Sequence, residues 1–261
     1  MNNTELYYKN LLTKYKKLMV FDFSTYERMD MVENIISSTN DDRRPVIVVT
    51  RYSTVLYDKM KNDRLIIMNP KYSDIEALKG EDNRGEILIF RGGERDPEHT
   101  EFLPNLELAM LANNIMLRQG ERPLIVIEPF EEFYISHNDG EIYDSFKEII
   151  IDEISAYQNL VLISQTVSPY DKNYAETQDF GSIILTADAM VFTKDYLSNY
   201  YTGPLQDVIW TIQDTLKNSP DDLNDLVEEF RRIYKDEERL QQGLVFDFKL
   251  QTIEDFKGMP A

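Results

Sequence analysis

Short apolar runs alternate with amphipathic stretches along most of this chain. The runs have the length of strands, are rich in Val, Ile and Leu, and fall at 18–23, 45–50, 64–68, 86–90, 123–128, 160–164 and 189–193. A strand without polar residues at alternate positions is typical of a sheet that is covered on both faces. We therefore predict a mainly parallel sheet that is flanked by helices.

The stretches between the runs have helical periodicity. The clearest lies at 104–118, where the apolar face contains Leu108, Leu111, Ala112 and Ile115. Further helices are predicted after Thr4, which can cap a short first helix, and at about 29–38, 53–61 and 141–157. Strand–helix–strand repetition implies right-handed crossovers, so the predicted fold class is a doubly wound α/β sheet.

The C-terminal part has a different pattern. A helix is predicted at 205–217, and Ser219-Pro220-Asp221-Asp222 supplies the cap, first-turn proline and first-turn acids of another helix that extends to about residue 240. Gly243 ends this helix, and 244–250 has the pattern of a closing strand. Because no linker or repeat is evident, we predict an N-terminal helix at 1–17 and a single α/β domain at 18–261.

The composition is typical of a folded protein. Hydrophobic residues make up 42% of the 261 positions and aromatic residues 11%, which argues against disorder. No apolar run is long enough to cross a bilayer, the first ten residues lack the apolar core of a signal peptide, and there is no cysteine. We expect a soluble cytoplasmic protein without disulfides, without thiolate-bound metal and without a membrane partner.

The chain is strongly acidic. Its 28 Lys and Arg and 47 Asp and Glu give a net charge of −19. Binding to nucleic acid depends largely on the neutralisation of phosphates by cations, so this charge disfavours a nucleic-acid partner. The charge is unevenly spread, since 220–239 is mostly acidic whereas the N-terminal segment contains Lys9, Lys14, Lys16 and Lys17.

The residues that follow the strands are the candidate site, because ligands of open α/β sheets bind at the carboxyl ends of the strands. The first strand continues into STYERMD (24–30), where a phosphate-binding loop would need glycines, a lysine, and a Ser or Thr for Mg²⁺. This segment has no glycine and no lysine, although it retains Ser24, Thr25 and Arg28. A plain strand-to-helix turn is the favoured interpretation.

Other strands end in polar residues at the same predicted edge. Thr50-Arg51 ends the second strand, Glu128 ends the fifth with Glu131 close behind it, and Gln165 follows the sixth. An acid at the end of an apolar strand is the pattern that places Mg²⁺ beside a phosphoryl group, but such acids are common. Glu128 and Glu131 are therefore weak metal candidates, and we expect no cofactor, with ATP and Mg²⁺ as the alternative.

Two further segments have binding chemistry. The run Arg91-Gly92-Gly93-Glu94-Arg95 contains cations that suit an anion, yet its glycines are more typical of a turn. Tyr196, Tyr200 and Tyr201 could stack on single-stranded bases. Structural packing or a protein contact is the favoured interpretation of these tyrosines in a chain this acidic.

The segment 160–202 resembles a stretch of the DnaB-type replicative helicases. The matching pieces are Ser164-Gln165 at a strand end, Gly181-Ser182-Ile183, Ala187-Asp188-Ala189, and an apolar strand that ends in Lys194. The strand that ends in Glu128 is similar to the family's magnesium-acid strand, and 243–256 resembles its closing strand. RecA and KaiC relatives share this order of elements, so the resemblance, which covers roughly 18–256, implies a RecA-like fold.

The sequence departs from this family where ATP is held and cleaved. The family's Gly-Lys-Thr loop falls on 24–30, its catalytic Glu falls on Thr50-Arg51, and the segment that supplies cations to a neighbouring subunit has no good match. An arginine does not deprotonate in proteins, so Arg51 cannot act as a base. The resemblance therefore implies the frame of an ATPase with a degenerate phosphate loop.

The favoured function is accordingly a non-catalytic RecA/DnaB-like core, a pseudo-ATPase rather than an enzyme. It would self-assemble or dock on a protein partner such as a related helicase or recombinase in DNA replication or recombination. Candidate contact residues are the three tyrosines together with Asp188 and Lys194.

Two alternatives remain open. One is a nucleic-acid accessory factor that uses 166–180 and the N-terminal lysines. The other is an NTPase with an unorthodox phosphate site, in which Arg28, Arg51 or the 91–95 segment contacts phosphate and Glu128 or Glu131 binds Mg²⁺.

Overall fold

The fold is given by a computed structural model that describes residues 3–22, 25–50, 57, 64–80, 86–91, 102–128, 159–164, 187–199, 228–229, 232–233, 243–250 and 252–257. The helices bounded within these ranges are α1 (Asn3–Lys14), α2 (Thr25–Ser38), α3 (Tyr72–Ala77), α4 (Phe102–Arg118) and α5 (Lys194–Asn199). The strands are β1 (Lys17–Phe21), β2 (Val46–Thr50), β3 (Ile66–Met68), β4 (Ile87–Arg91), β5 (Leu124–Glu128), β6 (Asn159–Ser164), β7 (Ala189–Phe192), β8 (Leu244–Asp247) and β9 (Thr252–Asp255).

The strands form one nine-stranded sheet in the order β3-β4-β2-β5-β6-β1-β7-β8-β9. The pairs from β3 to β7 are all parallel, whereas β8 pairs antiparallel with β7 and with β9. The prediction of a mainly parallel, doubly wound α/β sheet is confirmed. The single closing strand predicted at 244–250 is wrong in detail, because that segment ends in a turn and a second short strand completes a hairpin.

Both faces of the sheet are buried. Successive strand residues alternate between two apolar clusters, so Leu18 and Val20 pack with α1, α2 and Tyr57, whereas Met19 and Phe21 pack with α3, α4 and α5. This double burial explains why the strands appear in the sequence as continuous apolar runs rather than as alternating patterns.

Some helix predictions differ from the structure. The helix predicted from about residue 29 begins at Thr25, so only three residues separate it from β1. The short α3 was not predicted, because its six residues are too few to show a periodicity; the Asp74 carboxylate stabilises its start by accepting the Lys71 N–H at 2.8 Å. The helices predicted at 141–157 and 205–217 lie outside the described residues, and only parts of those at 53–61 and 219–240 lie inside them.

None of the helices in the described ranges is both long and apolar enough to span a membrane.

A buried polar cluster connects the N-terminal helix to the C-terminal hairpin. Tyr15, just after α1, donates its hydroxyl proton to Asp247 Oδ2 at 2.9 Å, and the Leu250 N–H donates to Asp247 Oδ1 at 2.8 Å. Lys14 Nζ lies 3.2 Å from carboxylate oxygens of both Asp247 and Glu254. Burial raises the pKa of Asp247, but the Leu250 N–H, the Tyr15 hydroxyl and Lys14 outweigh it, so the pKa lies below its ordinary value.

Replacing Tyr15 with Phe should lower the free energy of unfolding by about 1.5–3 kcal/mol, since a hydrogen bond to a buried carboxylate is lost. Burial and the Asp247 carboxylate raise the pKa of Tyr15 to about 12, against the opposing effect of Lys14. A raised pKa in the folded state means that this contribution is complete below about pH 10, the unfolded value, and is lost as the pH rises through the folded value.

Urea unfolding of wild type and the Tyr15→Phe variant at several pH values measures this effect. The difference should be constant near neutral pH and should shrink above about pH 10. The matched control is Tyr72→Phe, because Tyr72 is exposed and the same change there should cost less than about 0.5 kcal/mol. Equal losses at the two positions would contradict a stabilising role for the Tyr15–Asp247 bond.

Candidate functional site

Polar residues end the parallel strands at one edge of the sheet. In chain order they are Asp22 after β1, Thr50, Arg91, Glu128, Ser164 and, after β7, Thr193. All of them except Arg91 are fully buried. The carboxyl edge of a parallel sheet is where ligands bind, so this edge is the candidate site that the sequence predicts.

Three of these residues lie side by side in an edge row, defined as Arg91, Thr50 and Glu128. The register pairs Thr50 with Arg91 on one side and with Glu128 on the other. The residue before each of them packs on the face that α3 and α4 cover. Successive strand residues point to opposite faces, so these three project to the face that α2 covers. With strands about 4.8 Å apart, Thr50 directly neighbours Glu128, and Arg91 lies about 10 Å from it along the sheet.

Glu128 is oriented by a residue that the sequence did not single out. The Tyr57 hydroxyl donates a hydrogen bond to Glu128 Oε1, and both side chains are buried. Tyr57 lies within the helix predicted at 53–61, where it appears in the sequence as an ordinary aromatic residue on an apolar face. Only the folded chain, which brings together residues 71 positions apart, shows its role as a donor to the strand-end acid.

Asp22 is a second buried acid at this edge, and sequence analysis missed it by assigning 18–23 to a strand. Thr193 Oγ1 donates to Asp22 Oδ1 at 3.0 Å and accepts the Tyr196 N–H at 3.3 Å, and the Asp22 N–H donates to the Ser164 carbonyl at 2.9 Å. Burial raises the pKa of Tyr8 on α1, and the Asp22 carboxylate raises it further. Asp22 therefore joins β1 to the β7–α5 junction close to the N-terminal helix.

Arg28 is among the largest side chains that are fully buried, and it lies in the first turn of α2. In the pattern Gly-x-x-x-x-Gly-Lys-Ser/Thr the lysine comes six residues after the first glycine, which directly follows the strand. The same count from Asp22 places Arg28 at the lysine position, Glu27 at the second glycine and Met29 at the magnesium hydroxyl. By this count a cation lies at the lysine position, although only three residues separate β1 from α2.

Buried charges must be balanced, because an isolated ion in a protein interior is very costly. In the described part of the chain the fully buried charged side chains at this edge are Arg28, Asp22 and Glu128. The half-buried Arg91 completes two cations and two carboxylates at the carboxyl edge. These four buried or half-buried charges, two positive and two negative, balance one another.

The other predicted contact residues are distributed over both edges. Asp188 Oδ2 accepts the N–H groups of Lys16 and Lys17 at 2.8 and 2.9 Å, which places it at the amino edge of the sheet. Lys194 is exposed at the start of α5. Tyr196 is buried with ring-centroid distances of 5.7 Å to Phe21 and 5.6 Å to Phe192, so it packs in the core.

Several predicted site residues fall outside the described part of the chain. These are Ser24, Arg51, Glu131, Gln165, Tyr200 and Tyr201. Thr25 is described only as the first residue of α2. Among the described residues no group of three or more His, Asp or Glu side chains is arranged to hold a metal ion.

The fold is similar to that of the genome packaging NTPase B204 from Sulfolobus turreted icosahedral virus 2. Its structure in complex with ATP-gammaS has a TM-score of 0.54 and 14% identity, covering 92% of this chain and 95% of that chain. Its complex with AMPPCP has a TM-score of 0.55 and 14% identity, covering 93% of this chain and 97% of that chain. Its complex with AMP has a TM-score of 0.56 and 12% identity, covering 94% of this chain and 98% of that chain.

At this level of identity the likeness shows the fold alone. No family model matches the chain, and a comparison with curated proteins gives no match. The chain has an ATPase-like α/β fold, as the resemblance implied. The narrower assignment to DnaB-type helicases is not supported by these findings.

Proposed function

We propose that this chain is a nucleotide-binding subunit of the packaging-NTPase kind, which holds a nucleoside triphosphate and Mg²⁺ at the carboxyl edge of its sheet. The position of Arg28 is the main support, because it places a cation where the phosphate-loop lysine lies. The similar solved structures are complexes of an NTPase with ATP-gammaS and AMPPCP. This likeness favours the NTPase alternative over a purely non-catalytic core.

Each group at this edge has a role in the proposal. The Arg28 guanidinium is suited to phosphate oxygens, which it can contact through two parallel N–H bonds, and the N-terminus of α2 adds backbone N–H donors. Mg²⁺ is commonly held by one or two carboxylates together with phosphates and water. Glu128 supplies one carboxylate, and the neighbouring Thr50 supplies the hydroxyl that Met29 lacks.

The same geometry favours binding over rapid turnover. Arg28 and Glu128 are fully buried, so nucleotide entry requires displacement of the contacts that bury them. Thr50 ends β2, where the helicase family has its catalytic Glu nearby, and neither Thr50 nor Arg51 can take a proton from water at neutral pH. Phosphoryl transfer depends on positioning and charge stabilisation, so we expect slow hydrolysis by the isolated chain.

Titration of a fluorescent ATP analogue in Mg²⁺ tests the proposal. Wild type should bind with micromolar affinity, and Glu128→Gln should weaken binding at least about tenfold, or about 1.4 kcal/mol. This substitution preserves the size of the side chain and the oxygen that accepts the Tyr57 hydrogen bond, but it removes the charge that attracts Mg²⁺. In EDTA the two proteins should bind equally weakly.

The matched control is Glu86→Gln, which removes a half-buried carboxylate at the opposite end of the strands, where Glu86 precedes β4. This variant should bind nucleotide like wild type. Wild type without saturable binding would refute the nucleotide site, and unchanged affinity in Glu128→Gln would remove Glu128 from it.

A non-catalytic assembly subunit is the second candidate, as the sequence suggests. It is favoured by the lack of glycine from Asp22 to Asp30 and by the acid Glu27 at a glycine position of the phosphate loop. Under this hypothesis the protein binds a second copy or a related helicase or recombinase but no nucleotide. Light scattering that shows a defined assembly, together with a null nucleotide titration, would favour it.

A further inference from the structure

The amino edge of the sheet, opposite the candidate nucleotide site, carries several arginines. Arg43 and Arg44 precede β2, Arg122 precedes the neighbouring β5, and Arg64 lies just before β3. We call Arg43, Arg44 and Arg122 the arginine cluster. Acidic residues lie beside these arginines in the sequence, since Asp41 and Asp42 precede Arg43 and Glu121 precedes Arg122.

Arg64 differs from the cluster because it is buried and bound to uncharged acceptors. Its Nη1 donates to Thr39 Oγ1 at 2.6 Å, and its Nη2 donates to the Arg44 carbonyl. Burial lowers the pKa of Arg64 to about 10. These bonds fix the backbone of the turn between α2 and β2, and this turn carries the exposed Arg43 with a positive φ of 49°.

Arg44 and Arg122 converge across adjacent strands. Arg44 Nε donates to the Arg122 carbonyl at 2.8 Å, whereas the buried Arg44 Nη2 has no hydrogen-bond partner among the described residues. Burial lowers the pKa of Arg44; the Asp42 carboxylate opposes this effect, and the positive charge of Arg122 adds a smaller lowering. Arg44 therefore has a repelling cation and an attracting carboxylate nearby, and one of its donors has no acceptor among the described residues.

Asp42 offsets part of the charge of the cluster, since its Oδ1 accepts the Arg44 N–H at 3.3 Å and its charge raises the pKa of Arg44. Asp41 forms its ion pair with Lys9 at 2.8 Å. Burial raises the pKa of the half-buried Glu86.

We propose that the arginine cluster binds a small oxyanion of the phosphate class. Guanidinium groups match phosphate oxygens with paired N–H donors, and an anion between Arg44 and Arg122 would relieve their repulsion and satisfy Nη2. A positive φ is costly for a residue other than glycine and is often retained at functional sites, which fits the placement of Arg43 beside this pair.

This anion site is separate from the nucleotide edge. Arg44 and Thr50 are six residues apart along the same extended segment, which corresponds to about 20 Å. A single nucleotide therefore cannot occupy both. The net charge of −19 disfavours a long polyanion, so a free phosphate-class ligand is a better fit than a nucleic-acid backbone.

Calorimetric titration of pyrophosphate and inorganic phosphate without Mg²⁺ tests the proposal. Wild type should bind pyrophosphate saturably, and the double variant Arg44→Gln/Arg122→Gln should lose at least about tenfold in affinity. Arg43→Gln should weaken binding by a smaller factor, and it provides a test if the double variant fails to fold. Arg118→Gln is the control, since this exposed arginine ends α4 and lies outside the cluster.

Three outcomes would overturn the inference. The first is that wild type shows no saturable binding of pyrophosphate, and the second is that Arg44→Gln/Arg122→Gln binds pyrophosphate as tightly as wild type. The third is that wild type binds a single-stranded oligonucleotide more tightly than pyrophosphate and that the double variant loses this binding. The last would assign the cluster to nucleic acid. Glu128→Gln should retain pyrophosphate binding without Mg²⁺, so failure at the nucleotide edge and failure at this site are distinguishable.

Discussion

Replacing Arg28 with Met should lower the free energy of unfolding by about 3–5 kcal/mol, the range found when one partner of a buried charge group is removed. Arg28 is fully buried in the first turn of α2. Its loss leaves the carboxylates of Asp22 and Glu128 buried at the same edge with one cation fewer. Methionine has a similar length, so the change mainly reports the loss of charge and of hydrogen-bond donors rather than the loss of volume.

Urea unfolding followed by circular dichroism measures this loss. The matched control is Arg118→Met, because Arg118 is exposed in the last turn of α4, where a cation contributes only about 0.3–1 kcal/mol. Arg28→Lys should recover part of the stability, since it retains the charge but not the planar donor fork. If Arg28→Met unfolds at the same urea concentration as Arg118→Met, Arg28 does not balance the buried carboxylates.

The same variants separate folding from binding. Arg28→Lys should retain binding of the ATP analogue, since lysine is the residue that the phosphate-loop pattern has at this position. Arg28→Met should lose binding even at temperatures where it is fully folded. Retention of micromolar affinity by Arg28→Met would refute the phosphate-contacting role of Arg28.

The second large effect is expected at Gly243, which directly precedes β8. Its φ is +76°, and a Cβ at this position would lie 2.9 Å from the Phe192 carbonyl oxygen and 3.1 Å from the Lys194 N. These are backbone atoms, and Phe192 is held between β1 and β8 by the sheet. Gly243→Ala should therefore cost about 2–4 kcal/mol, through the unfavourable φ together with overpacking.

Gly120 provides a control that isolates the contribution of φ. Its φ is +84°, but a Cβ there would meet nothing within 4 Å. Gly120→Ala should cost about 1 kcal/mol, which is the backbone cost alone. Both variants are compared with wild type by urea unfolding, and equal losses would show that the approach of Gly243 to Phe192 contributes nothing.

Gly243 also bears on the candidate site, because it packs against the β7–α5 junction. That junction contains Thr193, which donates to Asp22 across 171 residues of sequence. A shift of Phe192 and Lys194 would displace Thr193 between them. We expect Gly243→Ala to weaken nucleotide binding as well as stability if Asp22 belongs to the working site.

Local pattern was enough to predict much of the sheet. The runs 45–50 and 123–128 became β2 and β5 within a residue at their starts, because a strand buried on both faces excludes polar side chains from every position. The periodic helix at 104–118 became α4, which begins two residues earlier. Such signals depend only on neighbours along the chain, so they can be recognised without knowledge of the fold.

The closing hairpin was harder to predict, because the contacts that fix its turn come from distant parts of the chain. Residues 244–250 alternate like one strand, and the turn inside them is fixed by the Asp247 carboxylate, which accepts the Leu250 N–H. Asp247 is in turn held by Tyr15, 232 residues away in the sequence. A contact at that separation leaves no periodic signal, so the turn could not be distinguished from a strand.

The sequence by itself determined a two-sided parallel sheet and the strand-end residues Thr50 and Glu128, because both follow from the order of apolar and polar residues along single segments. Tertiary structure alone decided that Arg28 is buried, that Tyr57 donates to Glu128, and that Asp22 binds Thr193. It also brought Arg44 and Arg122 together at the other edge. Hydrogen bonds and charge balance are set by distances in space between strands that are neighbours in the sheet but far apart in the chain.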